Sequence, residues 1–367
     1  MEPLQAPRSG GPAYPQTKTL YNFLEASFSP TTSQNGPGTV PKASPVAASS
    51  LPSLTPPIAR EEILVISKLS KFDREKSSRN LTDSQAMEHF GAIGESGLRI
   101  LAAHLHHSES IERCKHELPP ANVMTLDQFD AIPDLSRFKL VIALGGDDFF
   151  KLVGHHVKDS LPVLGVNSDA TSSVGALLPI TIDKLPAALT MIERGHYRLA
   201  HWTRLSLTLN GIAHGSAISE IVLGKLNVLL TSRHELEYKG EKVVQRCSGI
   251  LISSGVGSTG WYSSAGLYLG TADRSFPKTA RVAKFELREP SVTLSFNADG
   301  SRAVELPKFV EGIIEEGEIL RITSLNDEGG VASRDSIDQI PFPRGSVAQV
   351  SLDPKPLVVL IPEGASC

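Results

Sequence analysis

The apolar residues of this 367-residue chain follow two rhythms, and the change between them near residue 200 constrains the fold more than any other feature. Before it they come in unbroken runs: Ile63-Leu64-Val65-Ile66, Leu140-Val141-Ile142-Ala143-Leu144 and Leu161-Pro162-Val163-Leu164-Gly165-Val166. Runs of this length, rich in β-branched residues, read as strands buried on both faces. Between the first two, Thr82-Asp83 is capping chemistry, and Met87, Phe90, Ile93, Leu98 and Leu101 recur near helical spacing. That pattern predicts one helix running to about His107, with Gly91, Gly94 and Gly97 marking close packing against a sheet. Another helix is expected near Lys184–Glu193. Strand, helix, strand, glycine turn, helix, strand is the grammar of a parallel α/β sheet, where ligands gather beyond the carboxyl ends of the strands. After residue 200 the pattern alternates, as in Arg204-Leu205-Ser206-Leu207-Thr208-Leu209, Val292-Thr293-Leu294-Ser295-Phe296 and Ile319-Leu320-Arg321-Ile322-Thr323, with Asn210-Gly211 and Asp299-Gly300 as turns. This predicts a mainly antiparallel β-domain. Leu357-Val358-Val359-Leu360-Ile361 is again continuous and is expected as a buried strand returning to the first domain.

The expected organisation is a tail at 1–58, an α/β Rossmann-like domain at 59–195, a β-rich domain at 196–350, and a terminal strand and tail at 351–367. The tail is rich in Pro, Ser and Thr and too poor in large apolar residues to offset chain entropy, so it is expected to be disordered, with Leu20–Leu24 at most a transient helical turn. It has neither the h-region of a signal peptide nor the several arginines of a transit peptide, which points to a cytoplasmic protein, with an organelle as the alternative. A net charge of -4 gives no overall attraction to nucleic acid. No apolar run approaches the roughly 18 residues that cross a bilayer, so a soluble chain without a membrane partner is expected. Cys114, Cys247 and Cys367 are too scattered for a disulfide framework or a thiolate zinc site. His104, His106 and His107 are expected at a solvated helix end, and no carboxylate or thiolate at ligand spacing joins them or His155-His156.

Chemistry concentrates where the second run ends in Gly145-Gly146-Asp147-Asp148. Glycines there let a phosphate reach backbone N–H groups, and a carboxylate at the same mouth can hold Mg²⁺ or take a hydroxyl proton. Gly-Gly-Asp is also ordinary turn chemistry, and on these four residues alone both readings stand. A second glycine-rich stretch, Ser253-Ser254-Gly255-Val256-Gly257-Ser258-Thr259-Gly260, follows the run Ile250-Leu251-Ile252. Its amides and hydroxyls suit a base or ribose, with Trp261-Tyr262 as a cover; a serine-rich turn beside core aromatics is the plainer alternative.

These stretches, in this order, resemble the NAD kinase family, whose strand-GGDG motif here reads GGDD. Gly165-Val166-Asn167-Ser168-Asp169 with Ser173 and Gly175 is similar to the GVNTD stretch of mitochondrial-type members. Ala217-Ile218-Ser219-Glu220 looks like the A-L-N-E motif, and 248–266 like the loop that opens with Asp-Gly and continues TPTGSTAYSLSAG. Arg288-Glu289-Pro290 matches a further element, Ser336-Ile337-Asp338 a weaker one, and the resemblance spans about residues 62 to 362. It implies an NAD kinase-like fold, often homo-oligomeric. It also implies phosphoryl transfer from ATP, or another polyphosphate donor, to the adenosine ribose 2′-hydroxyl of NAD, with Mg²⁺ or another divalent cation. By the same resemblance Asp147 is catalytic. Gly145, Gly146, Asp148 and Asn167 would serve the nucleotides, together with Ser219, Glu220, Ser248, Gly257, Ser258, Thr259, Gly260, Trp261 and Ser264.

Three departures qualify what is implied. Ser219 replaces Asn and lacks the amide's paired donor and acceptor, and Ser248 replaces Asp. Asp148 replaces Gly, with Phe149 after it. Like charges at about 4 Å and an effective dielectric near 20 cost about 4 kcal/mol unless compensated. A cation or a nearby Lys or Arg could balance Asp148. The donor could instead be smaller, as in the pyrophosphate-using phosphofructokinases that carry GGDD. Transfer could also be lost, leaving a binding protein, and a diverged kinase of another nucleoside or small alcohol is the remaining alternative.

Overall fold

The computed structural model describes residues 55–157, 161–266, 274–305 and 307–365, so the expected tail lies outside the described residues up to 54. The chain is docked from Thr55, whose hydroxyl donates to the carbonyls of Gly195 and Tyr197 at 2.7 and 3.1 Å. Ile58 is buried. Order therefore precedes Ile63, because this short segment satisfies its polar groups and buries one large apolar side chain.

The unbroken apolar runs build a seven-stranded sheet. Its strands are β1 (Ile63–Ser67), β2 (Val123–Thr125), β3 (Leu140–Gly145), β4 (Val163–Asn167), β5 (Ile180–Thr181) and β6 (Tyr197–Trp202), joined by the C-terminal strand. β1, β3 and β4 are parallel and fully buried, as their patterning requires. The helices between them are α1 (Lys71–Arg79), α2 (Asp83–Ala92), α3 (Gly97–Glu117), α4 (Leu126–Asp130), α5 (Asp147–His156) and α6 (Leu185–Glu193).

The single helix expected from 83 to about 107 is two. Thr82 caps α2 through a reciprocal pair with Gln85, but Gly94 takes φ +76°, which ends it, and Ser96 caps α3 anew. A Cβ at Gly91 or Gly94 would meet nothing within 4 Å, and one at Gly97 would meet Met87. These glycines therefore mark a helix break and a helix–helix contact, not a sheet.

The alternating segments form a sandwich. Its strands are β7 (Leu205–Leu209), β8 (Ile212–Ala217), β9 (Glu220–Lys225), β10 (Ser232–Tyr238), β11 (Glu241–Cys247), β12 (Gly249–Ser253), β13 (Val282–Arg288), β14 (Thr293–Phe296), β15 (Arg302–Glu305), β16 (Glu311–Glu315), β17 (Leu320–Ser324), β18 (Gly330–Arg334), β19 (Ile340–Pro341) and β20 (Val347–Leu352). One six-stranded sheet runs β11-β10-β17-β20-β7-β8, the other β16-β13-β12-β9-β18-β19, and β14 pairs β15 as a separate hairpin. Leu207, Leu236, Ile322 and Val350 of the first sheet meet Ile221, Ile252, Phe285 and Ala332 of the second in one core, the face-to-face packing that alternation dictates. β21 (Leu357–Pro362) then re-enters the α/β sheet, parallel to β4 and antiparallel to β6. A short helix α7 (Trp261–Ala265) follows the second glycine stretch. No described helix is long and apolar enough to cross a membrane.

Candidate active site

β3 ends at Gly145, Gly146 is the N-cap of α5, and Asp147 and Asp148 form its first turn, so two carboxylates stand at a positive helix end. They are held differently. Asp147 accepts from the backbone N–H groups of Ala176 and Leu177 at 3.0 and 2.8 Å. Asp148 is exposed and pairs with Lys151 at 3.1 Å. A Cβ at Gly146 would sit 3.1 Å from Ser173 Oγ, so the backbone there lies close against the loop after β4. Asn167 clamps the same loop, accepting from Asp169 N–H and donating to the Ser173 carbonyl, both at 3.0 Å. Buried within it, Asp169 accepts from Thr171 and Ser172. Burial alone would raise its carboxyl, but these bonds hold it at about 2.

The sandwich presents a different construction. β18 ends at Arg334, and Asp335 follows with φ 48°, turning its fully buried carboxylate onto the start of β9. It accepts from the backbone N–H of Ile218 and Ser219 at 2.7 Å, of Glu220 at 2.9 Å, and from Ser219 Oγ at 2.7 Å. His155, at the far end of α5, adds a bond of 2.6 Å. Burial alone would raise this carboxyl too, yet the His155 bond and charge and the backbone donors hold it at about 2. Glu220 is buried beside it, and desolvation raises its carboxyl against the pull of Ser219 and Lys151. The second glycine stretch closes on this acid: a Cβ at Gly257 would lie 2.6 Å from the Ser219 carbonyl and 3.0 Å from Glu220 Oε2.

The two constructions meet in a cleft of about 1050 Å³ lined by Lys68, Arg74, Gly146, Asp147, Asp148, Lys151 and Asp335, among others.

No family model matches the chain. It is 25% identical over 281 residues to a probable NADH kinase of Oryza sativa subsp. japonica, covering 70% of this chain and 82% of that protein. With an NAD kinase of Clostridium perfringens the identity is 26% over 243 residues, covering 59% and 87%. The solved structure of yeast NADH kinase complexed with NADH superposes with a TM-score of 0.50 at 16% identity, over 82% of this chain and 83% of that one. The chain is a distant homologue of the NAD and NADH kinases. It shares their fold: a parallel α/β sheet followed by antiparallel β-sheets.

Within that fold Gly146, Asp147 and Asp148 stand at one wall of the cleft with Gly145 buried at the end of β3, and Ser219 and Glu220 gather about Asp335 with Gly257 against both. Ser258 is buried, donating to the Gly255 carbonyl at 2.8 Å, while Thr259 and Gly260 are exposed on the turn into α7 and Ser264 is exposed within it. Ser248 stands apart: it precedes β12, about 17 Å from Ser253 at the loop end of that strand. The Trp261-Tyr262 cover is corrected. Tyr262 is buried under Arg274, which stacks at 4.1 Å from its ring centroid and donates to its hydroxyl, so of the two only Trp261 faces outward. The histidines are corrected as well: His104, His106 and His107 lie inside α3, not at a helix end. His107 is buried, its Nε2–H donating to the Lys68 carbonyl at 2.9 Å, and desolvation lowers it to about 4.

Sequence reasoning passed over Lys151 and Asp335. Lys151 had a signal, since positions three and four residues after an acid share its helical face. Asp335 had none beyond its place before Ser336. No group of three or more His, Cys, Asp or Glu that could hold a metal occurs among the described residues.

Proposed function

We propose that this protein is an NAD kinase-like phosphotransferase of the mitochondrial-type branch, moving a phosphoryl group from ATP or another polyphosphate donor to the adenosine ribose 2′-hydroxyl of NAD to give NADP. The observation that carries this reading is the cleft shared by the Gly146–Asp148 helix start and Asp335, the buried acid whose bonds from the Ser219 and Glu220 N–H groups fix the start of β9. The relatives named NAD and NADH kinase support it. Donor phosphates would approach the backbone at Gly146, which carries no side chain of its own, at the α5 N-terminus, which favours anions. Glu220 would accept hydrogen bonds from ribose hydroxyls, held in place by Gly257 and by the Asp335 network. The 2′ oxygen attacks the terminal phosphorus, and the bond from that phosphorus to the bridging oxygen breaks. The electron pair leaves with the shortened donor, and the hydroxyl proton passes to Asp147, oriented by its two backbone donors. Mg²⁺ is held by one or two carboxylates together with phosphates, so Asp147 with the donor phosphates fits it without a larger ligand cluster. When bound it would neutralise phosphate charge.

The test incubates the purified chain and Mg²⁺ with NAD or NADH and ATP, pyrophosphate or polyphosphate, and follows NADP(H). No phosphorylated product with any donor would sink the reading, and thermal stabilisation by NAD without turnover would favour a binding protein. One observation favours a second acceptor, another nucleoside or small alcohol: the Ser219 hydroxyl is committed to Asp335 and offers no substitute for the amide of an Asn. Donor hydrolysis stimulated by such an alcohol, but not by NAD, would establish it.

A further inference from the structure

Lys151 lies one turn into α5, three residues after Asp148 and four after Asp147, so all three share a helical face. Its side chain is 14% exposed, set into the cleft wall, whereas that of its partner Asp148 is 98% exposed. The asymmetry has a consequence. A pair with one member in open solvent is worth about 0–1 kcal/mol, so an incoming anion can displace Asp148 at little cost while the ammonium stays in place. Burial pulls Lys151 toward neutrality, but the nearby Glu220, Asp148 and Asp335 outweigh it and keep the amine protonated. Lys151 thus stands within electrostatic reach of both Asp148, beside the backbone assigned to donor phosphates, and Glu220, assigned to the acceptor ribose. A phosphoryl group passing between those places carries charge on its oxygens that a fixed cation stabilises.

We propose that Lys151 is a catalytic residue whose ammonium contacts the transferring phosphoryl group, and that Asp148 is the counter-ion it exchanges for a polyphosphate donor. The inference rests on the phosphotransferase reading. Lys151 itself makes and breaks no covalent bond; one ion pair replaces another. It also accounts for an aspartate where the family motif has glycine, since the charge of Asp148 is balanced by its own helix and not by the substrate.

The test measures steady-state kinetics of the full chain with each donor in turn, for wild type, Lys151→Met, Lys151→Arg and Asp148→Asn. Lys151→Met is expected to lower kcat by about 10²–10³-fold while the KM for NAD stays within about threefold. Lys151→Arg, which keeps the charge, is expected to recover at least about a tenth of wild-type kcat. Asp148→Asn is expected to lower the donor KM, because the donor no longer competes with a counter-ion. NAD-dependent thermal stabilisation of Lys151→Met reports that the variant is folded. An active wild type with unchanged kcat in Lys151→Met overturns the inference alone. So does a loss in Lys151→Met that Lys151→Arg does not relieve. A wild type that forms no phosphorylated product with any donor overturns the kinase reading and this inference with it.

Discussion

Asp148 and Asp335 both line the cleft, one from the α/β domain and one from the sandwich, but their surroundings are opposites. The Asp148 side chain is 98% exposed and has Lys151 as its ion-pair partner. Asp335 is completely buried and accepts from Ile218, Ser219, Glu220 and His155. The difference separates two tasks. On the proposed reading Asp148 responds to an arriving anion, and a charge left in water has the weak, exchangeable pairing this requires. A charge that fixes a backbone turn is buried and saturated with donors, where it holds the β8–β9 junction, and with it Glu220, in one geometry.

The contrast can be broken most forcefully at Asp335. Asp335→Ala leaves three backbone N–H groups and a histidine without their acceptor, and is expected to cost about 3–5 kcal/mol in urea unfolding. A loss below about 1 kcal/mol would place Asp335 in the same class as Asp148. Acid sharpens the same point. The folded carboxyl, at about 2, lies below its unfolded value near 3.9. The stability it contributes is therefore complete above that unfolded value and lost as pH falls through about 2. That contribution is about 2–3 kcal/mol, and Asp335→Asn should flatten the urea-midpoint profile between about pH 5 and pH 2.

Smaller effects are expected where the loop meets the acid. Gly257→Ala forces a methyl against the Ser219 carbonyl and Glu220, costing about 1–3 kcal/mol by overpacking. NAD-dependent thermal stabilisation should fall with it, and an unaltered variant would show that the loop yields freely. The smallest effect belongs to Asp148→Asn, which should change unfolding free energy by less than about 1 kcal/mol. A larger loss would mean that the exposed pair supports the fold and not the ligand.

Much of the architecture was legible in local patterning. Continuous apolar runs became the buried parallel strands β1, β3 and β4, and alternating ones the sandwich, because burial on two faces or one leaves its period in the residues. Thr82 announced a helix start correctly, but Gly94 was misread: the apolar spacing carried across it, and a positive φ broke the helix where the spacing did not. Tyr262 was misread for a related reason. An aromatic beside a glycine turn suits a ligand or a core equally well, and the buried Arg274 beneath it was decisive. Glu220 was singled out from a motif, yet the residue that orients its backbone, Asp335, lies 115 positions away with no spacing to connect them.

Local order therefore settled which segments are strands and which turns are glycine turns. Tertiary structure decided what each acid answers to. It left Asp148, whose partner Lys151 lies one turn on in its own helix, in solvent, and it brought His155 to Asp335 across 180 residues. The physical reason is range. Burial period and turn chemistry act over a few residues and leave a trace in sequence, whereas desolvation and hydrogen-bond saturation depend on whichever distant groups folding brings within about 3 Å.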